Sequence, residues 1–147
     1  MNADTEPAPP TDIWLKEADI ELPAGLMGFT EVKNLELIHN TEELPFRWLR
    51  SVEDRSIAFV VVQPDGLIPG YELELSDEDA AEIGITDPEE ALILNIVTLR
   101  NGRPEEATVN LIGPIVVNRE TGIGRQVVLR NFQDYTARHA LIGVAAE

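Results

Sequence analysis

The stretch from Ala91 to Asn118 constrains the fold more than any other part of the chain. Leu92 to Leu99 is an apolar run rich in branched side chains, and its length is typical of a strand rather than a helix. Ala107 to Ile112 is a second such run. Between them, Asn101-Gly102 supplies the two positive-φ residues of a type I′ turn, whose twist matches that of paired strands. The sequence therefore predicts a β-hairpin, continued beyond a bulge or edge at Pro114.

The first strand of this hairpin is apolar on both of its faces. Alternate residues of a strand point to opposite sides, and Leu92 and Leu94 share one side while Ile93 and Val97 share the other. A strand with two apolar faces is covered on both sides, as in the core of a small barrel or sandwich. The sequence therefore places this hairpin at the centre of the domain.

Three asparagines, Asn95, Asn110 and Asn118, lie in or beside these apolar runs. A buried amide left without a partner costs about 1–3 kcal/mol, so each of them should be hydrogen-bonded. Two interpretations are open. The asparagines make polar contacts to a binding partner, or they satisfy backbone groups at bulges and strand ends, which is the commoner use of such side chains.

Length and composition limit the class of protein. A chain of 147 residues is one domain by the usual size range. We expect a disordered tail at residues 1–12, where three prolines prevent regular structure, a single β domain at 13–140, and a short C-terminal tail at 141–147. The absence of cysteine excludes disulfides and thiolate sites. No run is long enough to span a membrane and no signal peptide is recognisable, so the expected location is the cytoplasm.

The distribution of charge is uneven. The chain carries a net charge of −16, and no Lys or Arg occurs between Arg55 and Arg100, a stretch that holds ten acids. Direct nucleic-acid binding is therefore not expected, because phosphate contacts need a cationic surface. A basic protein partner, attracted to the acidic half, is one interpretation. The other is that the acids only keep the protein in solution.

The densest part of the acidic stretch has a local structural explanation. Tyr71 to Leu75 alternates strictly, which predicts a half-exposed strand with Glu72 and Glu74 pointing outward. Ser76 is a good helix N-cap, acids follow it in the first turn, and Gly84 can end the helix. These signals predict one short helix over Asp77 to Ile83. The whole pattern predicts a mostly β protein, an antiparallel β-barrel-like or sandwich domain with one short helix.

A catalytic or metal site is not apparent in the sequence. The only histidines, His39 and His139, lie far apart, and Ser76 is better explained as a cap than as a nucleophile. No phosphate-binding glycine motif is present. We therefore predict a protein without enzymatic activity, cofactor or metal. A hydrolase using His139 is a remote alternative.

Several blocks, taken in order, resemble the family of the flagellar assembly factor FliW. Residues 22–29, LPAGLMGF, resemble its FPxGLxGF opening, and residues 45–59 resemble its PFxWLQSxxDPxLAF block. The resemblance continues through the hairpin to residues 135–139, YTARH, and so covers about 22–139. Departures are few and spare the core pattern; they are Leu22 for Phe, Arg50 for Gln, Arg55 for Pro and Ala140 for Pro.

The resemblance implies a monomeric, barrel-like, non-enzymatic protein of flagellated bacteria. Members bind flagellin before its export and, when free, bind the RNA-binding regulator CsrA away from its RNA site. This binding relieves the repression of flagellin translation. Flagellin and a CsrA-type regulator are therefore the expected partners. Direct binding to nucleic acid or to a membrane is not expected.

The residues suggest where such partners would bind. Glu72, Glu74 and Glu78 are candidates for contact with a cationic regulator. Phe46, Trp48 and Tyr71 are candidate apolar anchors, of which Trp48 is better explained as core and Tyr71 is expected to be the more exposed. Asn95, Asn110 and Asn118 complete the candidate partner-binding set. The alternative function is a small-ligand-binding barrel with Asn95, Asn110 and Gln126 lining its cavity.

Overall fold

The computed structural model describes residues 14–100 and 102–141. It contains nine β-strands and one α-helix within those ranges. In chain order they are β1 (Trp14–Glu21), β2 (Asn34–Asn40), β3 (Arg47–Ser51), β4 (Ala58–Val62), α1 (Asp77–Ile83), β5 (Ala91–Arg100), β6 (Arg103–Val109), β7 (Ile115–Asn118), β8 (Gly124–Gln126) and β9 (His139–Ala140). The predicted mostly β architecture with one short helix is confirmed.

Every pairing between these strands is antiparallel, and successive strands are neighbours along most of the sheet. The order is β1-β2-β3-β4-β5-β6-β9, with β7 and β8 branching from β5. Within the described residues the sheet does not close fully, but the end of β1 approaches the turn between β7 and β8, where the Glu21 amide donates to the Gly122 carbonyl at 2.8 Å. The result is an open, barrel-like sheet.

Strand β5 is the centre of the fold, as the apolar run at 92–99 predicts. Its second half pairs with β4 on one side and β6 on the other, and its first half pairs with β7. Strands β5 and β6 form the predicted hairpin, and β7, which follows the break at 110–114, is its continuation along β5. The hairpin turn includes Gly102 at φ +67°, whereas Asn101, the other residue of the predicted type I′ turn, lies outside the described residues.

The core consists of three clusters that meet at β5. Leu92 and Leu94 belong to the largest one, between β1–β4 and β7. Val97 belongs to the second, with β6 and Ile68. Ile93 packs on the third, beneath α1. The prediction that both faces of this strand are covered is confirmed.

The helix has the predicted bounds and caps. The Ser76 hydroxyl accepts a hydrogen bond from the Asp79 amide at 3.0 Å, and Gly84 ends the helix in the left-handed conformation at φ +79°. The second apolar run of the hairpin, at 107–112, is strand only as far as Val109, where β6 ends.

Candidate partner-binding site

The acidic segment Tyr71–Leu75 is the part of the structure that differs most from prediction. Its side chains alternate as expected, with Glu72 and Glu74 exposed and their neighbours partly buried. However, the segment is not a strand of the sheet. The predicted strand assignment is therefore wrong, because no second strand in the described part of the chain pairs with this segment.

Two side chains and one main-chain N–H of the C-terminal loop Arg130–Tyr135 bond this segment in place of a neighbouring strand. The Asn131 amide donates to the Glu72 carbonyl at 2.9 Å and accepts from the Glu74 N–H at 3.2 Å. The Arg130 N–H donates to the Glu74 carbonyl at 2.7 Å, and the Tyr135 hydroxyl accepts from the Glu72 N–H at 2.8 Å. Both backbone groups of Glu72 and of Glu74 are thus bonded on one side, which is the pattern of an extended strand edge.

Tyr71 is less exposed than the sequence suggests, and its role as a partner contact stays a prediction. Its ring packs edge-to-face on Tyr135 with centroids 4.9 Å apart, and the side chain is only partly accessible. Its hydroxyl donates to the Leu111 carbonyl at 2.6 Å and accepts from the Asn95 amide at 3.1 Å. The expectation of an exposed Tyr71 fails because the hydroxyl has partners deep in the fold.

Burial of this phenol has a measurable consequence. It raises the pKa of Tyr71 from 10.0 to about 12, against a smaller lowering by the Asn95 hydrogen bond. The folded state therefore holds the proton more tightly than the unfolded state. The resulting contribution to the free energy of unfolding is complete below pH 10 and is lost as the pH rises from 10 to about 12.

This alkaline titration can be observed directly, because the chain has only two tyrosines. In a Tyr135→Phe variant, tyrosinate absorbance should appear near pH 12 when the protein is folded and near the ordinary value in concentrated urea. The Tyr71→Phe variant is the control, and it should lack this part of the alkaline loss of stability. A folded-state midpoint close to 10 for Tyr71 would contradict the buried, bonded hydroxyl.

Asn95 and Asn110 lie in the same network. Asn95 is 0% exposed, and its amide also donates to the Asn110 carbonyl at 2.9 Å. The Asn110 side-chain oxygen accepts from the N–H groups of Ile112 and Gly113, both at 3.0 Å, where β6 breaks before Pro114. These contacts agree with the interpretation that the two side chains satisfy groups inside the fold. Their role as partner contacts stays a prediction.

Asn118 connects the helix to the β7–β8 turn. Its amide donates to the carbonyls of Ile83 and Gly84, both at 3.2 Å, at the C-terminal end of α1. Its side-chain oxygen accepts from the Glu120 N–H at 2.8 Å. The Asn118 side chain thus satisfies main-chain groups at the end of α1 and just after β7, which is a structural role.

The two candidate aromatic residues of β3 and the segment before it are half-buried. Phe46 packs against the second core cluster, as Tyr71 also does. Trp48 lies edge-to-face with Trp14, with ring centroids 6.5 Å apart, and its indole N–H donates to Glu43 at 3.1 Å. Trp48 is half-buried and belongs to none of the three core clusters of the described residues, so the expectation that it is core is not met. Phe46 as a partner contact stays a prediction.

The acids of residues 72–82 include some that make ion pairs and some that do not. Asp79 and Glu82 on α1 bind Arg125, at 3.4 Å and 2.7 Å. Glu72, Glu74 and Glu78 are exposed, and none of them makes an ion pair with any side chain that the structure describes. Three predicted contact residues therefore present uncompensated negative charge along one continuous part of the chain.

The structure does not support a ligand cavity lined by the predicted amides. Gln126 donates to the Gly113 carbonyl at 3.0 Å and accepts from the Met27 N–H at 2.8 Å, so its amide is used like those of Asn95 and Asn110. Three open clefts of about 450, 330 and 310 Å³ are lined by other residues. These observations count against the ligand-binding barrel.

Residues 14–100 and 102–141 show few features of other kinds of site. No group of three His, Asp or Glu side chains there could hold a metal ion. No helix there is long and apolar enough to cross a membrane. His39 contacts Glu17 at 2.7 Å, whereas His139 lies in β9 at the far end of the sheet.

Comparison with known proteins gives a consistent result. A family model described as "FliW protein" matches residues 9–141. Flagellar assembly factor FliW of Natranaerobius thermophilus is 38% identical over 122 residues, which cover 83% of this chain and 80% of that protein. The FliW of Leptospira biflexa is 36% identical over 123 residues, covering 84% and 80%.

A solved structure agrees with the sequence comparison. The crystal structure of a flagellar assembly factor FliW superposes with a TM-score of 0.76 at 31% identity. The match covers 84% of this chain and 85% of that one. The likeness therefore extends over nearly the whole of the described sheet rather than over one hairpin.

Proposed function

Because the chain belongs to the FliW family of flagellar assembly factors, we propose that it binds flagellin and that, when free, it binds and allosterically antagonises a CsrA-type translational regulator. Binding of the regulator relieves repression of flagellin synthesis, and export of flagellin frees the protein to act. In this proposal the protein works in the cytoplasm as a monomer, by binding rather than by catalysis.

The single observation that supports binding of the regulator is that Glu72, Glu74 and Glu78 are exposed and make no ion pair with a described side chain. An RNA-binding regulator must carry cationic surface to hold phosphates, and such a surface is attracted to uncompensated carboxylates. The net charge of −16 adds long-range attraction and disfavours self-association. Direct repulsion of RNA by these acids acts only within a Debye length of about 8 Å, so an action away from the RNA site requires a conformational effect on the regulator.

Support for the flagellin arm comes from a different part of the surface. Met27 and Phe29 are 53% and 41% exposed at the tip of the loop that follows β1. Phe29 is held edge-to-face on Phe59 with centroids 5.3 Å apart, and Gly28 at φ +85° shapes the tip. Exposed apolar side chains on an ordered loop suit an amphipathic helical segment, which is what flagellin offers.

Calorimetric titration of this protein with the same organism's regulator and flagellin, separately and in competition, tests the proposal. Binding of both partners is the expected result, and mutual displacement would show that the two sites are coupled. Binding of flagellin alone would remove the regulator arm. Binding of neither would leave only the fold shared with the family.

Charge reversal tests the acidic residues. The variant with Glu72, Glu74 and Glu78 all changed to lysine should bind the regulator at least about tenfold more weakly, because three attractions become repulsions. The matched control changes Glu31, Glu105 and Glu120 to lysine, which alters the net charge equally at other exposed positions. Equal losses in the two variants would mean that only the overall charge matters.

A further inference from the structure

An open cleft of about 310 Å³ lies beside the acidic segment, on Tyr71 and Leu73. The opposite wall is the turn at 64–70, in which the amide of Ile68 donates to the Pro64 carbonyl at 2.9 Å. Ile68 is buried and Asp65 is exposed on this wall. The cleft therefore lies between this ordered turn and the acidic segment; its walls are partly apolar and its margin is acidic.

The backbone of Leu73 is the unusual feature of this cleft. In an extended segment, the N–H and C=O groups of neighbouring residues point to opposite edges. Those of Glu72 and Glu74 point to the C-terminal loop and are bonded there, so those of Leu73 point the other way. Leu73 makes no hydrogen bond with any residue in the described part of the chain. On the edge that carries Leu73, the Tyr71 N–H donates to the Ile68 carbonyl at 3.3 Å, so the open part of this edge begins at Leu73, which lines the cleft.

An open strand edge is a template for strand addition. An incoming extended segment would gain main-chain hydrogen bonds at Leu73, and its alternate side chains would lie beside Glu72 and Glu74. The Asn131 and Tyr135 contacts already hold the segment in shape, so little ordering would be needed on binding.

The charges around the cleft indicate which kind of molecule could bind in it. Both walls come from the stretch between Arg55 and Arg100, which contains no cation, and Asp65, Glu72 and Glu74 are exposed around it. Nucleic acid and anionic lipid would be repelled, and so would a second copy of a chain with a net charge of −16. The ligand that these charges favour is a cationic, extended polypeptide segment.

We propose that this cleft binds an extended, cationic segment of the regulator, which pairs with the open edge at Leu73 as an added β-strand. The inference rests on the proposed function, since it needs a basic protein partner. It goes further by naming the open backbone edge, the cleft and the conformation of the bound segment.

A pair of variants at Leu73 separates the contribution of its backbone N–H to binding from that of its side chain. Leu73→Ala and Leu73→Pro both remove the leucine side chain, but only proline also removes the N–H, and proline is compatible with an extended edge. In titrations with the intact regulator, we expect Leu73→Pro to bind at least about tenfold more weakly than Leu73→Ala. Flagellin binding and thermal denaturation of both variants verify that each is folded.

Hydrogen exchange of the wild-type protein gives an independent readout. The Leu73 amide should exchange quickly in the free protein and be protected in the complex, whereas the amides of Glu72 and Glu74 are protected in both. If the regulator binds the two variants equally and protection of Leu73 does not change, the strand-addition proposal is overturned while the proposed function stands. Absence of regulator binding by the wild type would overturn both.

Discussion

Replacing Gly25 with alanine should destabilise the fold strongly, by roughly 2–5 kcal/mol. Gly25 has a φ of +73°, and a left-handed conformation costs a residue with a side chain about 1–2 kcal/mol. A Cβ at this position would also lie 2.3 Å from the Thr30 carbonyl oxygen, a main-chain atom that cannot rotate away. Relieving such an overlap typically costs about a further 1–3 kcal/mol. Urea denaturation measures the change.

Gly28 in the same loop provides the matched control. Its φ is +85°, but a Cβ there would meet no atom within 4 Å. Gly28→Ala should therefore cost only the conformational part, about 1–2 kcal/mol. Equal losses for the two variants would contradict the close packing of Gly25 against Thr30. A wild-type-like Gly25→Ala would mean that the loop can rearrange, and with it the presentation of Met27 and Phe29.

Local signals explain which parts of the fold were predictable. The helix was predicted to its residue bounds because its cap, its acidic first turn and its terminating glycine all lie within nine residues, Ser76 to Gly84. The hairpin around Asn101-Gly102 was predicted for the same reason, since its turn and both strands are adjacent in the chain. The two apolar faces of β5 indicated correctly that layers cover both sides.

Contacts between distant residues explain what was not predictable. The alternation of Tyr71–Leu75 correctly indicated which side chains face outward, but a strand also needs a partner. Here the bonding side chains come from Asn131 and Tyr135, some 60 residues away, in a loop without a strand pattern. No local motif marks either residue as part of a site. The partial burial of Tyr71 is not predictable for the same reason, because its partners Leu111 and Asn95 are distant in sequence.

The candidate site was therefore predictable in its charge and not in its architecture. Composition alone located the exposed acids, since a stretch without cations cannot neutralise its carboxylates locally. The open edge of Leu73 depends on which neighbours are absent from one side of a segment, and only the folded arrangement determines that. The roles of the buried amides likewise depend on the carbonyls that the fold brings near them.

Replacing Asn95 with alanine is expected to cost about 2–4 kcal/mol. The change removes two hydrogen bonds, to the Asn110 carbonyl and to the Tyr71 hydroxyl, and leaves both acceptors inside the fold. Asn95 is 0% exposed, so a small cavity adds to the loss. Urea denaturation of Asn95→Ala, of Tyr71→Phe and of the double variant should show a coupling of at least about 0.5 kcal/mol, because the two side chains bond each other.

Partner binding then decides between the two interpretations of this asparagine. If Asn95 acts only inside the fold, Asn95→Ala should bind flagellin and the regulator with unchanged affinity at a temperature where it remains folded. If the side chain contacts a partner, affinity should fall while stability changes little. The contacts favour the first outcome, since reaching a partner would require Asn95 to leave the Asn110 carbonyl and would also free Tyr71. Additive losses of stability in the three variants would count against the internal network and return Asn95 to the partner-binding set.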